Sequence, residues 1–171
     1  MSHHYGTVTM KGNPVTLEGN EVYPGDKAPD FEVVDNELNP VTLGDYSGRV
    51  LILSSVPSLD TSVCDMETRR FNQEAAKLGD KVTILTISMD LPFAQQRWCG
   101  ANGVDRVITL SDHRKASFGQ AYGVLINELR LLSRAVFIVD ANGVLQYMQV
   151  VPEITQEPDY QEILAEVQKL I

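Results

Sequence analysis

The sequence has 171 residues, of which 43% are hydrophobic, and this is enough to bury one substantial core. The formal net charge of −9 repels phosphate backbones and anionic lipid surfaces, so nucleic-acid and membrane roles are disfavoured. Neither a run of about 18 apolar residues nor a basic segment followed by an apolar one occurs, so no membrane span or export signal is expected. We therefore expect one cytoplasmic domain over residues 1–171.

The first third of the chain is predicted to contain short strands and turns. Two β-prone runs, residues 7–10 and 15–18, flank the turn sequence GNP and predict an N-terminal hairpin. A loop-rich stretch follows over residues 23–48, with a short strand at residues 31–34. This stretch belongs to the domain because it contains apolar side chains that need burial, namely Phe31, Val33, Val41 and Leu43.

A strand, a helix and a second strand are predicted next. The continuous apolar run at residues 50–56 is typical of a strand that is covered on both faces. Residues 62–78 predict a helix with Gly79 as its C-cap, because apolar residues recur there at helical spacing: Val63, Met66, Phe71, Ala75 and Leu78. The β-branched run at residues 82–88 predicts a strand parallel to the first through a right-handed crossover.

A short helix that contains the second cysteine is predicted after this strand. Asp90 can cap its start, Pro92 lies in its first turn, and Gly100 is expected to end it. Cys99 then lies in the last turn of this helix.

The rest of the chain predicts a brief strand at residues 107–110, a helix at residues 115–122 ended by Gly123, an antiparallel hairpin from residues 135–139 and 144–151, and a final helix from about Asp159. The order of elements is β-α-β, an irregular insert, then β-β-α. This order is that of a thioredoxin-like α/β fold, with a central mixed β-sheet flanked by helices and an added N-terminal β-hairpin.

Cys64 lies where a strand passes into a helix. Thr61 is a plausible N-cap, which makes Cys64 the third helical residue. Free backbone N–H groups and the helix dipole favour a thiolate at this position. The Thr61 hydroxyl, three residues away, can hydrogen-bond to the sulfur or to a bound substrate. A redox Cys-x-x-Cys motif would have cysteine at position 61, so a partner for Cys64 must come from elsewhere.

The residues around Cys64 resemble a known family. Pro57, Thr61 and Cys64 match the Pro-x-x-x-Thr-x-x-Cys motif of peroxiredoxins. The strings PSLDTSVCDMETRRFN and LPFAQQRWCG are similar to the thiol peroxidase subfamily, and the likeness spans nearly the whole chain. Asp65, Met66 and Glu67 after the cysteine, and Trp98 before Cys99, differ from the residues that are most common in the family at these positions. Asp65 would oppose ionisation of Cys64 unless its side chain points to solvent.

The resemblance implies an activity and a set of site residues. Cys64 would attack a hydroperoxide and become a sulfenic acid, and Cys99 would resolve it as an intramolecular disulfide that thioredoxin reduces. Pro57 would shape the site. Arg134 would correspond to the catalytic arginine, which stabilises the thiolate and polarises the peroxide. The resemblance also implies a homodimer and no metal, flavin or haem cofactor.

Structural interpretations stay open beside these roles. Cys64 and Cys99 could be inert buried thiols, Thr61 only a helix cap, and Arg134 part of a surface ion pair. The histidines have no paired spacing, and two cysteines 35 positions apart do not indicate zinc. Several apolar residues could be core or could line an apolar rim beside the site: Val63, Met66, Phe71, Phe93, Trp98 and Tyr122.

Two other functions compete with peroxide reduction. A thioredoxin-like disulfide reductase is the alternative within redox chemistry, although its usual Cys-x-x-Cys is absent. A non-catalytic chaperone or interaction protein is the alternative from another class, and intact folding without peroxide consumption would favour it.

Overall fold

The computed structural model describes residues 5–171, which contain twelve strands and four α-helices. The strands are β1 (Val8–Met10), β2 (Asn13–Val15), β3 (Leu17–Glu18), β4 (Glu32–Val34), β5 (Pro40–Thr42), β6 (Val50–Ser55), β7 (Val82–Ser88), β8 (Ile108–Ser111), β9 (Leu125–Ile126), β10 (Leu131–Leu132), β11 (Ala135–Val139) and β12 (Leu145–Val150). The helices are α1 (Ser62–Leu78), α2 (Pro92–Asn102), α3 (Ser117–Tyr122) and α4 (Tyr160–Gln168).

A mixed sheet of seven strands lies at the centre, in the order β12-β11-β6-β7-β8-β4-β5. Strands β6, β7 and β8 are parallel neighbours, whereas β11 and β12 form an antiparallel hairpin whose first strand pairs with β6. Strand β4 joins the other side in antiparallel orientation and pairs with β5. The predicted central mixed sheet is thereby confirmed.

The sheet separates two apolar cores. On one face, Phe71 of α1, Trp98 of α2 and Ile163 of α4 pack over Ile52 and Ile84. The opposite face is covered by α3 and the segments that precede β6. Phe31, Phe118 and Tyr122 of these elements form the core on this face together with Phe137 of β11. Because both faces are covered, every residue of β6 is buried, which explains its continuous apolar run. No helix within residues 5–171 combines the length and apolar composition that a membrane span requires.

The N-terminal hairpin exists, but its register differs from the prediction. Strands β1 and β2 pair Met10 with Asn13, so the turn is Lys11-Gly12 and the predicted turn residues Asn13 and Pro14 lie in a strand. Both turn residues have positive φ angles, as a two-residue hairpin turn requires. Strand β3 was expected to be part of the hairpin, and it pairs with β9 instead.

The prediction for α2 placed Pro92 in the first turn correctly, but its capping residue and its C-terminal end were wrong. Its N-cap is Leu91 without a side-chain cap bond, because the Asp90 carboxylate binds other groups. The helix continues through Gly100 and ends at Gly103, whose φ of 64° is the left-handed conformation that glycine adopts most readily. Cys99 still lies in the last turn.

The bounds of α1 and β7 were predicted correctly, and Gly79 caps α1 as expected. The buried stripe of α1 was predicted only in part: Phe71 and Ala75 are buried as expected, and Cys64, Glu67 and Thr68 complete the stripe. Met66 is 48% exposed and Val63 is half-buried. The stripe is shifted because two polar residues are buried with hydrogen-bond partners, Glu67 with Ser54 and Thr68 with the Cys64 carbonyl.

Candidate active site

Cys64 is the third residue of α1 and its side chain is buried. Strand β6 leads into residues 56–61, and α1 begins directly after them. Thr61 is the N-cap, and its Oγ1 accepts a hydrogen bond from the Cys64 backbone N–H at 3.2 Å. The sulfur therefore lies in the first turn of a helix of 17 residues, where the dipole favours negative charge.

The Thr61 hydroxyl does not donate to the Cys64 sulfur, which the sequence had suggested as one possible partner. It donates to the Ser58 carbonyl at 3.2 Å rather than to the sulfur. The two bonds of this side chain therefore fix the loop to the helix, while Thr61 also contributes to the wall of a neighbouring cavity.

The loop before Cys64 is held by Asp90, which follows β7. Its carboxylate accepts hydrogen bonds from the Ser58 hydroxyl at 2.7 Å, from the Leu59 N–H at 2.8 Å and from the Ser88 hydroxyl at 2.7 Å. Sequence reasoning assigned Asp90 to the start of α2 and missed this role. Asp90 thus connects the loop that carries Pro57 and Thr61 to the C-terminal end of β7.

Arg134 immediately precedes β11 and is 1% exposed. Its Nη2 donates to Cys64 Sγ at 3.2 Å, its Nη1 donates to Glu67 Oε1 at 3.3 Å, and its Nε donates to the Ile154 carbonyl at 2.9 Å. A buried guanidinium requires such partners, because an unpaired charge in the interior is strongly destabilising. Arg134 is therefore a buried cation in contact with the sulfur, and the surface ion pair considered from the sequence is excluded.

Glu67 was not assigned a role in the site from the sequence. It lies three residues after Cys64, on the same face of α1, and its other oxygen accepts from the Ser54 hydroxyl at 2.8 Å. Burial raises its pKa from 4.5 to about 7, and the opposing effects of Arg134 and Ser54 are smaller. An acidic residue within an apolar helix stripe is the only signal that could have indicated it.

The raised pKa of Glu67 predicts how stability depends on pH. Between about pH 4.5 and 7 the unfolded chain loses the Glu67 proton before the folded chain does, so the free energy of unfolding should fall as pH rises. Asp112, whose pKa burial raises to about 6, acts with the same sign at the lower end of this window. Glu67→Gln should flatten the curve above about pH 6.

Urea unfolding at a series of pH values tests this prediction, with Asp112→Asn as the matched control that should flatten only the lower part of the curve. Equal pH dependence in Glu67→Gln and the wild type would contradict it.

A cavity of about 320 Å³ is lined in part by Arg134, the residue that contacts the sulfur. The N-terminal hairpin, the Cys64 loop and the segment after β12 all contribute to its wall, which consists of Met10, Lys11, Pro57, Thr61, Ser62, Val63, Arg134, Ile154 and Thr155. Val63 is therefore a rim residue. Tyr122 is buried in the core on the opposite face of the sheet and does not contribute.

Cys99 lies apart from this cavity, on α2. Its thiol is half-buried and lies 3.6 Å from Thr109 Oγ1, and burial raises the pKa of the Cys99 thiol. Both cysteines are free thiols. The structure thus brings Pro57, Thr61 and Arg134 together in one cavity wall and Cys64 into contact with Arg134, and it leaves Cys99 on a neighbouring helix.

Side-chain hydrogen bonds connect α1 to α2. Asp65 accepts from the Trp98 indole N–H and from Arg69 Nε, each at 3.0 Å, and Arg69 also binds Asn102. The Asp65 charge is therefore paired with Arg69, which answers the sequence-based concern about a free carboxylate beside Cys64. Trp98 is a buried core residue that links the two cysteine-bearing helices.

No group of three or more histidine, cysteine, aspartate or glutamate side chains within residues 5–171 is arranged to hold a metal ion. Arg134, with its guanidinium, and Thr61, with its hydroxyl, lie in the cavity wall, and the guanidinium contacts the Cys64 thiol. Such a set can stabilise a thiolate and bind an oxygen atom that accumulates negative charge.

Comparisons with known proteins agree with this arrangement. Residues 23–164 match the family model described as Redoxin. The chain is 59% identical to the thiol peroxidase of Oceanobacillus iheyensis, covering 95% of this chain and 98% of that protein, and 57% identical to the thiol peroxidase of Bacillus subtilis, covering 96% and 98%. A peroxiredoxin-like protein from Aquifex aeolicus superposes with a TM-score of 0.92 at 44% identity, covering 99% of both chains. The chain therefore belongs to the redoxin family and, within it, to the thiol peroxidases of the peroxiredoxin type.

Proposed function

We propose that the protein reduces hydrogen peroxide and organic hydroperoxides through a Cys64 sulfenic acid and a Cys64–Cys99 disulfide, which thioredoxin recycles. The observation that carries this proposal is the 3.2 Å contact between Arg134 Nη2 and Cys64 Sγ at the start of α1. A buried cation next to a sulfur at a helix N-terminus favours the nucleophilic thiolate.

In the first step, the Cys64 thiolate attacks the terminal oxygen of the hydroperoxide. The S–O bond forms, the O–O bond breaks, and the leaving oxygen takes up a proton to become an alcohol or water. The sulfur is oxidised to sulfenic acid and the peroxide is reduced. Arg134 is aimed at the region where the peroxide oxygens would gain negative charge, and this is the charge that a fixed donor stabilises.

In the second step, Cys99 attacks the sulfenic sulfur, the S–S bond forms, the S–O bond breaks and water leaves. The raised pKa of the Cys99 thiol supports this order, because it keeps Cys99 protonated while Cys64 reacts. Two thiols of thioredoxin then reduce the disulfide and become a disulfide in turn.

The cavity supports organic hydroperoxides as substrates in addition to hydrogen peroxide. The side chains of Met10, Pro57, Val63 and Ile154 form an apolar wall beside Arg134. The volume of about 320 Å³ is at the lower end of the range of small-molecule sites, so an alkyl group could be enclosed while the peroxide group faces the guanidinium.

Stoichiometry in the absence of thioredoxin tests the proposed sequence of steps. One equivalent of peroxide should convert the wild type entirely to a Cys64–Cys99 disulfide, seen as one cross-linked peptide by mass spectrometry. Cys99→Ser should also consume one equivalent, but it should end as a Cys64 sulfenic acid that dimedone traps, and it should not turn over with thioredoxin.

A disulfide between two protein molecules, or full thioredoxin-dependent turnover by Cys99→Ser, would contradict the assignment of Cys99. Reduction of insulin disulfides by the wild type without any peroxide consumption would instead favour the thioredoxin-like reductase, although Thr61 occupies the position of its first cysteine.

Three further expectations from the sequence stay predictions. They are the assignment of residues 1–171 to one domain, the homodimer, and the cytoplasmic location. Sedimentation velocity of the reduced protein would test the homodimer directly.

A further inference from the structure

The third partner of Arg134 belongs to a segment without regular secondary structure. The Ile154 carbonyl accepts from Arg134 Nε at 2.9 Å, and Ile154 lies between β12 and α4. Glu67 and Ile154 therefore hold the guanidinium from two sides, while Nη2 faces the sulfur. The direction of the guanidinium depends on how firmly this segment is held.

Glu153, the preceding residue, anchors the segment through five hydrogen bonds. Its carboxylate accepts from the Thr155 N–H at 3.0 Å and the Thr155 hydroxyl at 2.7 Å within the segment. It also accepts from the Thr9 hydroxyl at 2.8 Å, the Gly12 N–H at 2.9 Å and the Lys11 N–H at 3.1 Å in the N-terminal hairpin. The bonds from Thr155 and the hairpin hold the pKa of Glu153 well below its usual range.

Backbone hydrogen bonds reinforce the same connection. The Thr9 N–H donates to the Pro152 carbonyl at 2.8 Å, and the Ile154 N–H donates to the Thr9 carbonyl at 2.9 Å. The hairpin is thus joined to the residue whose carbonyl orients Arg134, although the two are more than 140 positions apart in the sequence. Met10 and Lys11 of the hairpin also form part of the cavity wall.

We propose that Glu153 is a positioning residue of the peroxidase site, and that it acts through Ile154 and Arg134 by fixing the segment to the N-terminal hairpin. This inference rests on the proposed roles of Cys64 and Arg134. Its physical basis is that a fixed donor assists a reaction only while it stays aimed at the developing charge, so a small displacement of the guanidinium lowers the rate.

Glu153→Ala tests the proposal, and Glu128→Ala is the matched control. Glu128 is an exposed carboxylate that also holds the N-terminal segment, because it accepts from the Thr16 N–H and the Thr16 hydroxyl, each at 2.8 Å. No hydrogen bond connects it to Arg134 or Ile154 among the contacts of residues 5–171. Stopped-flow oxidation of Cys64 by peroxide at pH 7 should be about tenfold slower in Glu153→Ala and within about twofold of the wild type in Glu128→Ala.

The pH dependence of Cys64 alkylation by iodoacetamide separates positioning from a merely structural role. In a Cys99→Ser background Cys64 is the only thiol, since the chain contains two cysteines. Glu153→Ala should shift the alkylation profile to higher pH and should approach the parent rate at alkaline pH. A purely structural change would lower the midpoint of thermal unfolding and leave the profile in place.

If Glu153→Ala does not fold, Glu153→Gln provides the test, since it keeps the shape and one acceptor oxygen and should give a smaller shift in the same direction. Unchanged profiles and peroxide rates in the folded Glu153 variants would overturn the inference. Failure of the proposed function is a separate outcome, which would appear as peroxide consumption by the wild type that does not depend on Cys64.

Discussion

Cys64→Ser is expected to abolish peroxide consumption and to leave the fold intact. The serine hydroxyl is nearly the same size as the thiol, and it can still accept the hydrogen bond from Arg134 Nη2 at this buried position. A serine hydroxyl is barely ionised near neutral pH, and its oxygen has no counterpart of the sulfenic state. The thioredoxin-coupled rate should fall by more than about a thousandfold.

Circular dichroism and thermal unfolding provide the control for Cys64→Ser, and both should match the wild type closely. Cys99→Ser is the second control, because it should retain one rapid turnover that Cys64→Ser lacks. Peroxide consumption by Cys64→Ser at a rate near that of the wild type would assign the reaction to another group.

Arg134→Met has the second largest expected effect. Methionine fills most of the space of the arginine stem but removes the charge and the donor that lies 3.2 Å from the sulfur. The oxidation of Cys64 at neutral pH should slow by about a hundredfold, the usual scale for loss of one fixed donor at developing charge. A smaller thiolate fraction should also appear in the absorbance near 240 nm as pH is varied.

Arg134→Met also leaves Glu67 buried without its cation. Removing one partner of a buried ion pair typically costs about 3–5 kcal/mol, although protonation of Glu67, whose pKa is already about 7, offsets part of it. The double variant Arg134→Met/Glu67→Gln should therefore recover stability while its peroxide rate stays low. Recovery of the rate together with stability would mean that Arg134 acts only through the fold.

Arg70→Met is the matched control for charge removal at the surface. Arg70 forms a partly buried ion pair with Glu74 on the same helix as Cys64 and lies over the Tyr160 ring, so its loss should lower stability modestly and leave the rate nearly unchanged. A similar slowing in Arg70→Met and Arg134→Met would indicate a general effect of charge rather than a contact with the sulfur.

The elements with a strong local pattern were predicted well from the sequence. The run that contains β6 is apolar and β7 is rich in β-branched residues because both faces of the sheet are covered, and α1 is bounded by a capping threonine and a glycine. Strands β3, β9 and β10 form a separate sheet of three strands, which was not predicted from the sequence. Each of β9 and β10 has only two residues, and β3 pairs with a partner more than 100 positions away, which no local periodicity reveals.

The site was predictable only in part, and for a physical reason. Thr61 and Cys64 are neighbours in the sequence, so the helix start could be recognised from their spacing. Nothing in the local sequence of Arg134 distinguishes it from other arginines, and its assignment came from the resemblance. Glu67 and Asp90 were missed because their partners are brought to them by tertiary packing and not by spacing along the chain.

The position of Trp98 gives the protein a built-in optical reporter. It is the single tryptophan of the chain, it precedes Cys99, and its indole N–H is bonded to the residue after Cys64. Indole emission responds to the polarity and hydrogen bonding around the ring. Any rearrangement that separates α1 from α2 should therefore change the emission of this single fluorophore, without a background from other tryptophans, and we expect the proposed redox cycle to be measurable in this way in unlabelled protein.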